Sequence, residues 1–219
     1  MILLSLRYNI IIGRAVCALL LAIAPAVCSH PHSFISLKTT LVADGDKLSG
    51  LKMVWTMDEI TSADLFYDAG DAKPDSVVWK KLAAEVMANV LGQHYFTEFW
   101  HDGKPVKFDN LPPEYHLVRN GHKAVLEFIL PLAEEQRLKG QTYRFSTFDP
   151  TYFVDMFYDD EHALTMPEAL HNQCKMNLKT PKPNPSMQAY ALSLDKADAP
   201  AEDIDLGRQF AQTVTLICQ

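Results

Sequence analysis

Apolar and polar residues alternate along the chain from residue 33 onward, and this period-two pattern predicts two β-strands. One face of the first strand, residues 33–42, carries Ile35, Leu37, Thr39 and Leu41. The dipeptide Asp44-Gly45 then provides a hairpin turn signal. The return strand continues the alternation with Leu51, Met53, Trp55 and Met57. The pattern therefore predicts an antiparallel hairpin that starts directly behind residues 30–32.

A helical pattern replaces the strand pattern after this hairpin. Residues 57–67 predict a short helix, and Asp58 and Glu59 in its first turn interact favourably with the helix dipole. Residues 74–91 predict a longer helix with a proline in its first turn and Gly92 as its stop signal. The apolar face of this helix is formed by Val78, Leu82, Val86 and Val90.

Further strand patterns fill most of the remaining chain, and Asn120-Gly121 is its strongest hairpin signal. Residues 180–186 carry three prolines and predict a loop, whereas residues 201–212 predict a short acidic helix. Strands are predicted at Tyr95–Trp100, Glu114–Arg119, His122–Leu130, Thr142–Phe148, Thr151–Phe157 and Thr213–Cys218.

These elements together define an expected fold class. About eight to ten strands with two adjacent helices predict an α+β protein that is mainly β. We expect an antiparallel β-sandwich-like domain with an inserted helical hairpin after the second strand. A parallel β-α-β arrangement would need helices between most of the strands, and the sequence pattern does not contain them.

Residues 1–29 have the features of a secretory signal peptide. Arg7 and Arg14 supply positive charge, and the apolar run at residues 15–24 is about ten residues long. A transmembrane helix needs about 20 apolar residues, so an uncleaved anchor is the weaker interpretation. Attachment of a lipid at Cys28 is also the weaker interpretation. Residues 25–27 lack the leucine and the small residue that usually precede a lipoprotein cysteine.

The small residues at the end of the leader allow cleavage after Ala26, Cys28 or Ser29, and we favour Ser29. Cleavage there leaves residues 30–219, a length that predicts a single domain. The two leader arginines are lost, so 18 basic residues remain against 27 acidic ones and the formal charge changes from −7 to −9. Such an acidic protein is a poor partner for nucleic acid and for anionic lipid.

Four cysteines are present, and two of them lie in the leader. The other two, Cys174 and Cys218, are expected to form a disulfide, because an exported protein folds in an oxidising compartment. A competing interpretation pairs His171 with Cys174 as metal ligands three residues apart. We favour the disulfide, since oxidation removes free thiolates.

The segment His30-Pro31-His32 is a candidate metal site. After cleavage at Ser29, His30 carries a free amine beside its imidazole, and His32 adds a second imidazole. Pro31 has no N–H, so the square-planar mode that uses deprotonated amides is blocked. Imidazole ligands suit zinc, copper and nickel. The alternative is a polar strand start with two solvated histidines. The residues alone support the metal site and this alternative equally.

Three further residues are candidate partners for these histidines. Asp149 and Asp155 lie six residues apart, and in one continuous strand they would be about 20 Å from each other. We expect one of them to join the histidines, although Asp149 is also typical of an Asp-Pro turn. His162 follows an acidic run at residues 158–161 that is typical of a solvated turn, and it is the third candidate ligand.

The sequence contains no motif that predicts an enzyme. It has no His-Glu-x-x-His, no Gly-x-Ser-x-Gly, no phosphate-binding loop and no dinucleotide fingerprint. A copper enzyme that uses the N-terminal histidine as a brace is an alternative, but nothing else in the chain marks a substrate groove.

Four segments together give the chain its resemblance to a known family: residues 30–32, 55–59, 95–97 and 148–153. With them the chain resembles the ZevA-like family of uncharacterised bacterial periplasmic proteins, described as the periplasmic component of a putative transport system. The resemblance covers residues 30–219. It implies a periplasmic location, metal handling with zinc as the metal, and an inner-membrane permease partner that resembles nickel/cobalt exporters.

Two function classes therefore compete with each other. The first is a periplasmic zinc-binding accessory protein of such a permease, with the predicted ligands His30, His32, Asp149, Asp155 and His162. The second is a non-metal interaction module whose sheet surface docks on the permease.

Overall fold

The computed structural model describes residues 31–194 and 205–219. The predicted leader and His30 lie outside these residues. The first of two sheets has the strand order β5-β6-β2-β1-β8, and β9 also pairs with β1. Its strands are β1 (Ser33–Asp44), β2 (Lys47–Met57), β5 (Tyr115–Asn120), β6 (Lys123–Arg137), β8 (Val154–Phe157) and β9 (Leu164–Thr165).

The second sheet is antiparallel throughout and has the order β10-β11-β7-β3-β4. Its strands are β3 (Thr97–His101), β4 (Lys104–Pro105), β7 (Thr142–Thr147), β10 (Cys174–Lys179) and β11 (Thr213–Cys218). The chain moves between the two sheets several times, so neither sheet is built from one continuous stretch of sequence.

The predicted helical hairpin lies between β2 and β3, as helices α1 (Glu59–Ala69) and α2 (Val77–Gly92). It packs on the first sheet, where the backbone N–H of Ala124 donates to the Ser62 hydroxyl at 2.8 Å. Two short helices, α3 (Pro185–Ser193) and α4 (Leu206–Phe210), come late in the chain. None of the helices in the described ranges is long and apolar enough to cross a membrane.

The main hydrophobic core lies between the two sheets and under the helical hairpin. Trp55 of the first sheet packs edge-on against Phe128, with ring centroids 5.1 Å apart. In the second sheet, Phe99 stacks on Phe145 at 5.9 Å. One continuous cluster of buried residues contains side chains of both sheets. The mainly β, sandwich-like fold with an inserted helical hairpin is thereby confirmed.

Several predicted boundaries are wrong for identifiable reasons. The strand predicted at Thr151–Phe157 begins only at Val154, because the preceding residues form a turn. The strand predicted at Tyr95–Trp100 begins at Thr97, because residues 94–96 all adopt positive φ angles. The loop predicted over residues 180–186 ends where α3 starts, with Asn184 as its N-cap.

The structure contains the predicted disulfide. Cys174 and Cys218 face each other in the register of β10 and β11, and their sulfur atoms are bonded at 2.01 Å. The alternative in which Cys174 and His171 bind a metal is therefore wrong, because the Cys174 sulfur is not a free thiolate. The bond ties β10, an edge strand, to the body of the second sheet.

Removing this disulfide should lower the stability of the protein markedly. The cross-link closes a loop with a sequence separation of 44 residues, and loop-closure entropy then corresponds to about 4 kcal/mol. We expect the double variant Cys174→Ala/Cys218→Ala to lose up to this amount in free energy of unfolding, measured by urea denaturation. A reducing agent should destabilise the wild-type protein and leave the variant unchanged. Equal stability of the two proteins would contradict the prediction.

Candidate metal centre at the start of β1

The His-Pro-His segment leads directly into β1, and strand β8 lies beside it. The backbone N–H of His32 donates to the Phe153 carbonyl oxygen at 2.9 Å. Further along, the two strands run parallel, with Ser33 opposite Val154 and Phe34 opposite Asp155. The predicted tethering of this segment to a sheet is thus observed for His32.

Side-chain alternation places His32 and Asp155 on one face of this strand pair. Ser33 is buried and Val154 packs against the core, so their neighbours in sequence point to the outer side. The His32 ring lies against the Phe153 ring with centroids 4.8 Å apart, and its Nε2 atom is shielded from solvent. Asp155 pairs with Phe34, and His32 precedes Phe34 by two residues on the same face.

The Asp155 carboxylate is half-buried in a mostly apolar environment. Burial raises the pKa of Asp155 above its ordinary value. Within the part of the chain that the structure describes, this carboxylate has no hydrogen-bond donor and no cationic partner. The neighbouring Tyr152 has its own pKa raised by burial and by the negative charge of Asp155. A carboxylate in this situation is a suitable ligand for a cation.

Asp149 has a structural role in the turn before β8. Its carboxylate is 8% exposed and accepts hydrogen bonds from the Thr151 N–H at 3.0 Å, the Thr151 hydroxyl at 2.9 Å and the Val154 N–H at 3.0 Å. These bonds engage both oxygens and fold the Asp-Pro step back on itself. The Asp-Pro turn that the sequence indicated is present. Its hydrogen bonds hold the Asp149 carboxylate against the Phe153–Val154 peptide unit, whose carbonyl oxygen accepts from the His32 N–H.

His162 lies in an exposed turn. Its side chain is 96% exposed, and Nδ1 is 3.2 Å from the Asp160 carboxylate. The turn leads into β9, whose first residue pairs with Thr39. That pairing is seven residues beyond His32, about 23 Å along β1 at the usual strand rise. The structure therefore separates His162 from the other candidate ligands.

The described residues alone do not form a metal site. Within residues 31–194 and 205–219, no three His, Cys, Asp or Glu side chains form a group able to hold a metal ion. His32 and Asp155 lie on one face of the β1–β8 pair, Asp149 is hydrogen-bonded into the turn before β8, His162 lies in the turn before β9, and His30 lies outside the described ranges. Metal binding by this segment stays a prediction.

Asp58 holds the start of β1 in place, a role that the sequence indicated only in part. It is the N-cap of α1, directly before the first turn in which the sequence placed it, and its carboxylate accepts from the Thr61 N–H at 2.8 Å. It also accepts from the Phe34 N–H at 2.7 Å and from the Ser33 hydroxyl at 3.1 Å. Spacing alone could not reveal these last two bonds, because they join residues far apart in sequence.

Hydrogen bonding and burial act in opposite directions on the pKa of Asp58. Burial raises the pKa, but the hydrogen bonds from Phe34, Thr61 and Ser33 favour the ionised form, and the net pKa lies below the ordinary value. A depressed folded-state pKa stabilises the protein above the unfolded-state pKa of about 4. This stability is lost as the pH falls through the folded-state pKa.

The variant Asp58→Asn should therefore be less stable than wild type near neutral pH, by about 1 to 2 kcal/mol. The difference should shrink as the pH is lowered below about 4, because wild-type Asp58 then becomes protonated. Urea denaturation over a pH series measures both quantities. Glu59→Gln, an exposed neighbour, is the matched control and should show little effect. A stability difference that does not change with pH would contradict this account.

Comparisons with known proteins assign the chain to a family. A family model described as "Protein of unknown function (DUF1007)" matches residues 15–218. An uncharacterised protein of Haemophilus influenzae is 34% identical over 213 residues, which cover 97% of this chain and 98% of the relative. No solved structure matches the chain significantly. Neither match describes transport or a metal, so those expectations stay predictions. By these two matches, the chain belongs to the DUF1007 family.

Proposed function

We propose that this protein is a periplasmic accessory protein that binds zinc and works with an inner-membrane metal permease. The observation that carries the proposal is the position of Asp155. Its half-buried carboxylate has no ionic or hydrogen-bonding partner among the described residues, and it lies diagonally across from His32 on the same face of the sheet. An imidazole and an unpaired carboxylate side by side are a typical start of a zinc site.

The donor atoms fit a four-coordinate ion when His30 is included. His32 and Asp155 supply one nitrogen and one oxygen. Cleavage after Ser29 would add the amine and the imidazole of His30, which gives the four ligands that structural zinc sites use. Pro31 removes the amide nitrogen that a square-planar copper or nickel site of the amino-terminal type requires. Zinc is proposed on the family resemblance, and its four-coordinate preference agrees with this ligand set.

Other parts of the proposal rest on the sequence. Export rests on the predicted leader, and the periplasm, the permease and its similarity to nickel/cobalt exporters rest on the family resemblance described above. An accessory role is proposed in place of catalysis because the sequence holds none of the enzyme motifs tested. The acidic net charge of −7 agrees with a protein that attracts cations.

Zinc binding by the mature protein tests the proposal. We expect isothermal titration calorimetry to show one zinc ion per chain. His32→Ala should weaken zinc binding about 100-fold and Asp155→Asn about 10-fold, since each removes one ligand of about four. His122→Ala and Asp159→Asn replace exposed residues of the same types and should leave the affinity unchanged.

Two outcomes would contradict this assignment. Unchanged zinc affinity in the double variant His32→Ala/Asp155→Asn would place the metal elsewhere. Loss of affinity in His162→Ala equal to that in His32→Ala would show that the turn before β9 supplies ligands, against the separation seen along β1.

The exported protein should begin at His30. Mass spectrometry of the intact protein from the periplasm should give the mass of residues 30–219, because cleavage after Ser29 exposes the amine that the site needs. Cleavage after Ala26 or Cys28 would leave residues before His30 and remove its free amine. Either mass would overturn the four-ligand site.

A further inference from the structure

The outer face of the second sheet carries an unusual set of side chains. Alternation along β7 and β10 places Arg144, Lys175 and Lys179 on this face, and all three are exposed. We call these three residues the basic platform. The same face of these strands and of β11 also carries Ser146, Asn177, Thr213, Thr215 and Ile217.

No acidic side chain of the described residues forms an ion pair with the basic platform. Glu98 is the one acidic residue on the described strands of this face, and Arg208 of α4 engages it in a bidentate ion pair with N–O distances of 2.5 and 2.6 Å. Arg144, Lys175 and Lys179 make no ion pair with any described residue. Among the described residues, three cationic side chains therefore have no ion-pair partner on one side of a protein whose net charge is −7.

The spacing of these cations suits an extended ligand. Lys175 and Lys179 lie four residues apart on one strand, about 13 Å at the usual rise, and β7 lies two strands away, about 10 Å across the sheet. The hydroxyl groups of Thr213 and Thr215 lie between them and can donate hydrogen bonds. A chain bearing several carboxylates would contact cations and hydroxyl donors together.

We propose that the basic platform docks an acidic polypeptide segment of a partner protein. Charge complementarity supports this occupant, because local positive potential attracts a small acidic segment within a screening length of about 8 to 10 Å. An anionic membrane would face the whole acidic protein and be repelled. Surfaces that bind membranes also present exposed apolar anchors, whereas the large apolar side chains of the described strands on this face, Trp100 and Ile217, are partly buried.

A fluorescein-labelled peptide of alternating Glu and Ser, read by fluorescence anisotropy at low salt, tests the proposal on the full mature protein. The variant Arg144→Gln/Lys175→Gln/Lys179→Gln should weaken peptide binding about 10-fold or more. The matched control Lys73→Gln/Lys80→Gln/Lys123→Gln removes the same charge from exposed, unpaired positions elsewhere. It should weaken binding less than about 2-fold, and binding to wild type should fall as salt is raised.

Several results would overturn the proposal. Absence of peptide binding to wild type would do so, as would equal weakening in both triple variants, which would show an effect of net charge alone. Displacement of the peptide by phosphatidylglycerol vesicles would assign the face to a membrane. Self-association in sedimentation experiments that the platform variant abolishes would assign it to a second copy of the chain.

Two sets of control variants separate peptide binding from effects on folding and on metal binding. If the triple variant fails to fold by circular dichroism, the edge-strand double variant Lys175→Gln/Lys179→Gln replaces it and should still weaken binding about 3-fold or more. The proposal does not depend on the zinc site, so the variants His32→Ala and Asp155→Asn should bind the peptide like wild type.

Discussion

The position of β1 between β2 and β8 is the constraint on which most of the structure depends. Antiparallel pairing joins β1 to β2 from Ile35 to Asp44, and parallel pairing joins its first residues to β8. A buried hydrogen bond of 2.8 Å between the hydroxyls of Thr39 and Tyr158 locks this arrangement. Burial raises the pKa of Tyr158 to about 12, so the phenol stays neutral and the bond persists. Because His32 immediately precedes β1, this pairing also positions the candidate metal centre.

The local parts of this fold could be predicted from the sequence, and the non-local parts could not. Two hairpins, the helical insertion and the terminal strand follow from period and turn residues that lie next to each other in the chain. The parallel pairing of β8 with β1 joins distant segments, and no local pattern encodes it. Strand β10 was not predicted, because its six residues lie at a sheet edge and follow a turn without glycine. The left-handed residues 94–96 carry large side chains, for which a positive φ is uncommon.

For the candidate metal centre, too, the sequence could not show which residues have hydrogen-bonding partners from distant parts of the chain. The residue types in Asp149–Asp155 indicated that one carboxylate is special, yet they could not distinguish the two. The distinction lies in the surroundings: backbone and hydroxyl donors satisfy Asp149, whereas Asp155 faces outward from β8 without a described partner. Hydrogen bonding therefore assigns the first carboxylate to folding and leaves the second available for chemistry. His162 looked equivalent to His32 in sequence, but the spacing of β8 and β9 along β1 separates them.

Helix α4 connects the candidate metal centre with the basic platform. Gly207 packs so closely on the turn before β8 that a β-carbon there would collide with the carbonyl oxygen of Asp149. The next residue, Arg208, reaches to Glu98 of the second sheet. One short helix thus holds the turn that positions Asp155 and also neutralises the one acid on the described strands of the platform face. The Gly207 N–H also donates to the Pro150 carbonyl oxygen of that turn at 2.9 Å. The turn before β8 and the charge balance on the outer face of the second sheet therefore depend on the same short helix.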